Sequence, residues 1–237
     1  MINVVCTNWG TKYPKSCTER LYNMVKRNTT KEFDFYVMTD QNFYTGPIKP
    51  IELLPGFKGW WNKLQMFNTD VMGEGEWLYF DLDVVIVDNI DCFFEHEKFG
   101  ILRDFIRPDN GILPGKEYNS SIMRFNSKEY SSIYEYYISN KKVFHDFQEQ
   151  VHFFGDQNVI SSYFNAYPDY CTPFPDEWAW SYKKGVARGA HAGDRSEMFG
   201  REIPEGGKVC VFHGEPDPEQ VLEKHDWIKE NNKRTVC

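Results

Sequence analysis

Short apolar bursts alternate with polar turns along this chain, and their spacing switches between the two-residue period of strands and the longer period of helices. Ile2, Val4, Val5 and Thr7 make residues 2–7 a run rich in β-branched positions that predicts a strand, and residues 33–39 predict a second. Between them, residues 16–27 carry apolar positions at helical spacing. Strand, helix and strand in this order predict a parallel pair with a right-handed crossover, an α/β arrangement whose ligands gather at the carboxyl ends of strands. Thr7, Asn8 and Trp9 lie at one such end, and Thr39 and Asp40 at another.

Residues 61–67 predict a helix, broken by Gly73, Glu74 and Gly75 before a third strand opens at Trp77. That strand, residues 77–87, is apolar except where Asp81 and Asp83 flank Leu82. Pro108, Gly111, Pro114 and Gly115 mark turns, after which residues 120–125 resume a strand pattern and residues 130–140 a helical one. A further helix is expected over 157–164, introduced by Gly155 and Asp156, while 169–207 reads as loops rich in Pro, Gly and aromatics. The last strand spans 209–212, followed by His213 and Gly214, a Pro-rich turn and a terminal helix near 219–231. Without a repeat, a low-complexity tract or a linker, the 237 residues are expected to form a single domain.

Composition narrows the partners. With 27 basic and 35 acidic residues the net charge is -8, which opposes nucleic acid and anionic membranes. An anionic nucleotide would need a cation or a local group of donors to offset that field, which makes a metal ion a natural requirement. The six cysteines, Cys6, Cys17, Cys92, Cys171, Cys210 and Cys237, never approach zinc-like spacing and are read as reduced thiols. No basic leader with a long apolar stretch opens the sequence, and no window reaches the roughly 18 apolar residues of a membrane span. The expected location is cytoplasmic.

Asp81 and Asp83, two apart, share a face in a strand or converge in a turn. Like charges in an apolar setting resist ionisation unless a cation joins them, and hard oxygen ligands suit magnesium or manganese. The ordinary alternative has one carboxylate capping a turn and the other solvated. A strand followed by Asp-x-Asp also suits haloacid-dehalogenase-type phosphatases, but there the motif follows the first strand and a later acidic pair completes the site. Here two strands precede it, and the later segment at Asp156 offers a single carboxylate.

The ordered set of Thr7-Asn8, Lys63-Leu64, Asp81-Leu82-Asp83, Tyr118-Asn119-Ser120-Ser121, Gly155-Asp156-Gln157 and His213-Gly214 resembles the GT-A glycosyltransferases. Within them it is similar to the retaining family that includes glycogenin and bacterial galactosyl- and glucosyltransferases. The resemblance implies a Rossmann-like GT-A fold, with a central mostly parallel sheet flanked by helices. It implies a nucleotide-diphosphate-sugar donor, such as a UDP-sugar, and transfer with retention to a glycan, protein or small-molecule acceptor. Asp81, Asp83 and His213 would hold manganese or magnesium, and Thr7 and Asn8 would line the nucleotide pocket. Lys63, Asn119, Ser120, Asp156 and Gln157 would face the donor sugar or its phosphates. Where glycogenin carries a Lys-Pro-Trp element after the histidine, this chain has Glu215-Pro216-Asp217-Pro218, so Lys183 or Arg188 would have to supply that cation.

Each residue also has a structural reading. His213 could be a hydrogen-bonded structural histidine, Asn119 a turn cap, Asp156 a helix N-cap and Lys63 part of a solvated face. Trp60 and Trp61 read as packing residues. In mechanism, Asp156 is expected to position the donor and support an oxocarbenium-like state, the acceptor hydroxyl attacking from the leaving-group side. A nucleotidyltransferase would need a richer phosphate loop than Trp9-Gly10-Thr11-Lys12. A non-catalytic nucleotide-sugar binder would not need both carboxylates.

Overall fold

The computed structural model describes residues 2–105, 118–148, 155–186 and 202–231. Strand β1 (Ile2–Asn8) enters the centre of a seven-stranded sheet, followed by helix α1 (Lys15–Arg27), β2 (Phe33–Thr39) and β3 (Ile48–Glu52). A 3-10 segment, Gly59–Phe67, and the short α2 (Thr69–Met72) lead to β4 (Glu76–Phe80) and then β5 (Val84–Ile86). The chain continues through α3 (Asp91–Glu95), β6 (Phe99–Arg103), β7 (Tyr118–Asn126), α4 (Ser132–Phe147) and α5 (Asp156–Ala166). It ends in β8 (Cys171–Pro173), β9 (Ala179–Ser181), β10 (Gly185–Val186), β11 (Val209–Val211) and α6 (Asp226–Asn231).

The large sheet has the order β3-β2-β1-β4-β7-β6-β8. Its pairings are parallel except those of β7, which runs against both β4 and β6. Alternation along the strands divides the interior into two layers: Val4, Leu78 and Ile122 face one cluster, Val5, Tyr79 and Met123 the other. The first layer holds Leu21, Met24 and Val25 of α1, whose spacing places them on one stripe. The second holds Trp61, Leu64, Met66 and Phe67 of the 3-10 segment with Tyr137 of α4 and Ile160 of α5.

Several sequence expectations change. The apolar run 77–87 is not one strand: β4 belongs to the large sheet, whereas β5 joins a separate four-stranded sheet of order β10-β9-β11-β5. Both halves are apolar because both are buried, so hydropathy alone could not separate them. Residues 61–67 form a 3-10 rather than an α-helix. Helix α4 runs on to Phe147 because Phe144, past the Lys141-Lys142 pair, still reaches the core. Within 169–207 the short strands β8, β9 and β10 appear, too brief to show alternation. The expected terminal helix is split into a 3-10 turn, Pro218–Val221, capped reciprocally by Asp217 and Gln220, and α6. The turn markers Pro108, Gly111, Pro114 and Gly115, and Arg188 and Cys237, lie outside the described residues. Among the described residues no two cysteines are joined in a disulfide.

Candidate active site

Asp81, Leu82 and Asp83 form the turn by which the chain leaves the large sheet and enters the small one, and each is pinned through its backbone by a different element. The Asp81 amide donates to Ser121 O on β7 at 2.9 Å, and Asp83 O accepts from the Phe212 amide after β11 at 2.9 Å. Leu82 O accepts from Arg20 Nη2 on α1 at 2.6 Å. Arg20 is buried and also pairs with Glu219. The turn is therefore built from three directions before any side chain is considered.

At its centre stands Lys63. The 3-10 segment drives this side chain inward, where Nζ lies 2.9 Å from Asp81 Oδ1 and 3.2 Å from Asp156 Oδ2. Nζ also donates to Ser120 Oγ at 3.1 Å and Ser120 O at 3.2 Å. Burial works against the Lys63 charge, but Asp156 and Asp81 outweigh it and hold the ammonium above its usual range. Lys63 is thus a buried counter-cation, not part of a solvated face. Tyr79, two residues before Asp81, donates its hydroxyl to Asp81 Oδ1 at 2.6 Å. Lys63 and Tyr79 share one oxygen of Asp81.

Asp156 is the first residue of α5 and Gly155 holds the cap position, so Asp156 is not the N-cap. Instead Oδ2 accepts from Ser120 Oγ at 2.6 Å as well as from Lys63. Burial raises its pKa against the opposing pull of Lys63 and Ser120. Gly155 has φ 59 and ψ -117, and a Cβ there would fall 2.2 Å from Trp60 Cδ1. Only glycine lets the indole lie this close to the start of α5.

Asp83 is partly buried, and desolvation followed by the charge of Asp81 pushes its carboxyl up to about 8, against Lys63 and Lys12. Continuing the β11/β5 register by two residues sets His213 opposite Leu82, between the two carboxylates in sequence. Its Nε2 lies 2.6 Å from Ser181 Oγ. That hydroxyl accepts from the Lys183 and Lys184 amides, each at 3.1 Å, so its proton is left to donate to the imidazole. Burial, with Lys183 and Lys184, brings His213 down to about 4, leaving it neutral near pH 7. Among the described residues no three His, Cys, Asp or Glu side chains already stand grouped as a metal cage. The donor set nevertheless fits a hard divalent ion. Asp81 keeps Oδ2 clear of Lys63 and Tyr79, the Asp83 carboxyl lacks sufficient compensating charge, and the neutral imidazole would offer Nε2 once the Ser181 hydroxyl turned away from it.

A cavity of about 350 Å³ opens over this cluster, with Thr7, Lys63, Asp81, Asp83 and Asp156 on its walls. Trp9, Tyr13 and Trp60 also line it, and Trp9 and Trp60 are half-exposed. Trp60 is therefore a cavity residue, whereas Trp61 packs internally against Tyr137 and His145. Asn8 is placed elsewhere: fully buried, it donates to Thr18 Oγ1 at 3.2 Å and Tyr44 Oη at 2.8 Å. Asn119 and Gln157 sit to the side, joined by a 3.4 Å bond from Asn119 Nδ2 to Gln157 Oε1. Lys183 donates to Glu215 O at 2.8 Å, beside Gly214.

Sequence reasoning missed Tyr79, although the two-residue period puts it on the face of Asp81. It also missed Arg20 and Ser181, for which no local signal exists.

No family model matches the sequence, and none of the curated proteins matches it. Solved structures do. Galactosyltransferase LgtC, in complex with donor and acceptor sugar analogues, aligns with a TM-score of 0.65 at 14% identity over 91% of this chain and 88% of that one. This is the GT-A glycosyltransferase fold. GlyE from Streptococcus pneumoniae TIGR4 aligns at 0.64 and 14% identity, over 92% of this chain but 56% of its own. Mouse xyloside xylosyltransferase 1 aligns at 0.53 and 14% identity, over 91% of this chain and 98% of that one. On this GT-A frame the acidic turn sits where β4 ends, beside the carboxyl tip of β1. No described helix is long and apolar enough to cross a membrane.

Proposed function

We propose that this chain, acting as one domain, is a glycosyltransferase that moves a sugar from a nucleotide-diphosphate donor, such as a UDP-sugar, to an acceptor hydroxyl with retention. The observation that carries this reading is the buried Lys63 ammonium bridging Asp81 and Asp156 on the wall of the cavity. Asp81, Asp83 and His213 would hold manganese or magnesium, which when bound supplies Lewis-acid neutralisation of the departing diphosphate. Lys183, beside the backbone of Gly214 and Glu215, supplies a further positive charge where that diphosphate would leave.

The remaining work belongs to the chain. Lys63 and Ser120 both engage Oδ2 of Asp156 and fix that carboxylate in place. A negative group so held supports positive charge on the donor sugar as the bond to phosphate breaks. The acceptor hydroxyl attacks from the leaving-group side, and its proton passes to the departing phosphate oxygen. LgtC has an active-site glutamine, exchanged for glutamate in one of its solved structures, and Gln157 stands next to Asp156 here.

The test is incubation with a panel of nucleotide sugars and manganese, scored for nucleotide release, with and without EDTA. Release that EDTA suppresses and D156N abolishes, with nucleotide affinity little changed, is expected. A fully active D156N variant would remove Asp156 from the mechanism, and release of inorganic phosphate alone would favour a phosphatase.

A further inference from the structure

Gln157, on the first turn of α5 beside Asp156, is caught between two partners. Its Nε2 donates to Asp104 Oδ2 at 3.2 Å, and its Oε1 accepts from Asn119 Nδ2 at 3.4 Å. Asn119 is fixed in turn, because its Oδ1 accepts from the Ser121 amide at 3.0 Å. The two ends of a glutamine amide are almost alike in shape, so only neighbours decide which way it faces. Both neighbours agree here: Asp104 presents a carboxylate, and Asn119, its oxygen engaged by Ser121, presents nitrogen. Asp104 follows β6 directly and is 2% exposed, so its carboxylate does not simply serve solubility.

We propose that Asp104 is a positioning residue. Its buried carboxylate, opposite Asn119, locks the Gln157 amide in one of two orientations, so that the remaining lone pair of Gln157 Oε1 keeps a fixed place beside Asp156. The inference rests on the transferase reading for its purpose, but the lock itself is a matter of hydrogen bonding.

A reciprocal swap tests it. Q157E sets a second carboxylate against Asp104, and like charges at hydrogen-bond distance repel. D104N alone is mild, because an amide oxygen at position 104 still accepts from Gln157. In D104N/Q157E the amide and the acid exchange places: the new amide at 104 donates to the new carboxylate at 157, which still accepts from Asn119. Melting temperature and manganese-dependent nucleotide release from UDP-glucose and UDP-galactose are measured for all four proteins. We expect Q157E to lose roughly tenfold or more in kcat, with a smaller change in KM and a lowered Tm, and D104N to restore most of both losses.

A double variant no more stable than Q157E overturns the lock. Rescue of Tm without rescue of kcat overturns its role in the reaction. Rescue of Tm in a protein whose unaltered form releases no nucleotide from any donor overturns the transferase reading and leaves the lock standing.

Discussion

Lys63 neutralises the buried carboxylate of Asp156 and the partly buried one of Asp81, which no other described cation reaches as closely, at 3.2 Å and 2.9 Å. Its replacement by Met strands both charges, and K63M is expected to lose about 3–5 kcal/mol of stability. Urea unfolding of K63M and K63R should show the arginine retaining part of that loss. Gly155 is the second sensitive position. G155A forces a side chain into a positive-φ site and against Trp60, so a loss of about 2–4 kcal/mol and weakened nucleotide release are expected. Adding W60A should recover the steric share only, since the backbone strain remains; full recovery would show that φ does not matter there. The place of Asp81 and Asp83 on the cavity wall was legible because charge interrupts an apolar run. Asn8 was not, because its strand-end position fits a pocket as well as the inward contacts to Thr18 and Tyr44 that it makes.

Elements that carry their own period, β1, α1, β2 and α5, were readable within a residue or two at most ends. Of the small sheet only β11 was readable in this way, since its other strands have two or three residues or merge with a longer apolar run, and β9 meets β11 across the undescribed stretch. Likewise Ser181 and His213, thirty-two apart in sequence, meet only once both strands are placed. The loop after α1 is secured by another such long-range contact. Asp91, opening α3, accepts from Thr29 Oγ1 and Thr30 Oγ1, each at 2.5 Å, and from Asn89 Nδ2 at 3.2 Å. Burial pushes the Asp91 carboxyl up, but these hydrogen bonds outweigh it and bring it to about 2. A depressed carboxyl pKa adds stability above its unfolded value, about 4, that is lost as pH falls through the folded value. D91A should therefore cost about 1 kcal/mol near neutrality, kept small by solvent, and the gap to the unaltered chain should close between those two pH values. A gap unchanged in urea titrations across that window would refute the clamp.

Across the whole molecule, two sheets of different topology are joined where the acidic turn lies. Arg20 ties this joint to Glu219 and thus to the carboxyl-terminal turn, so residues far apart in sequence converge on one short peptide. The large sheet's parallel order was foreseeable from the βαβ opening. The second sheet was not, because nothing local tells a buried strand which sheet to join.

That shared joint has a mechanical consequence. A nucleotide and metal seated on Asp81 and Asp83 would clamp the peptide that connects the sheets, and rocking of one against the other would be damped. Hydrogen–deuterium exchange should then slow at β9 and β11 as well as around the cavity when UDP and manganese are added. Protection confined to the cavity rim would mean that the sheets move independently of what the joint holds.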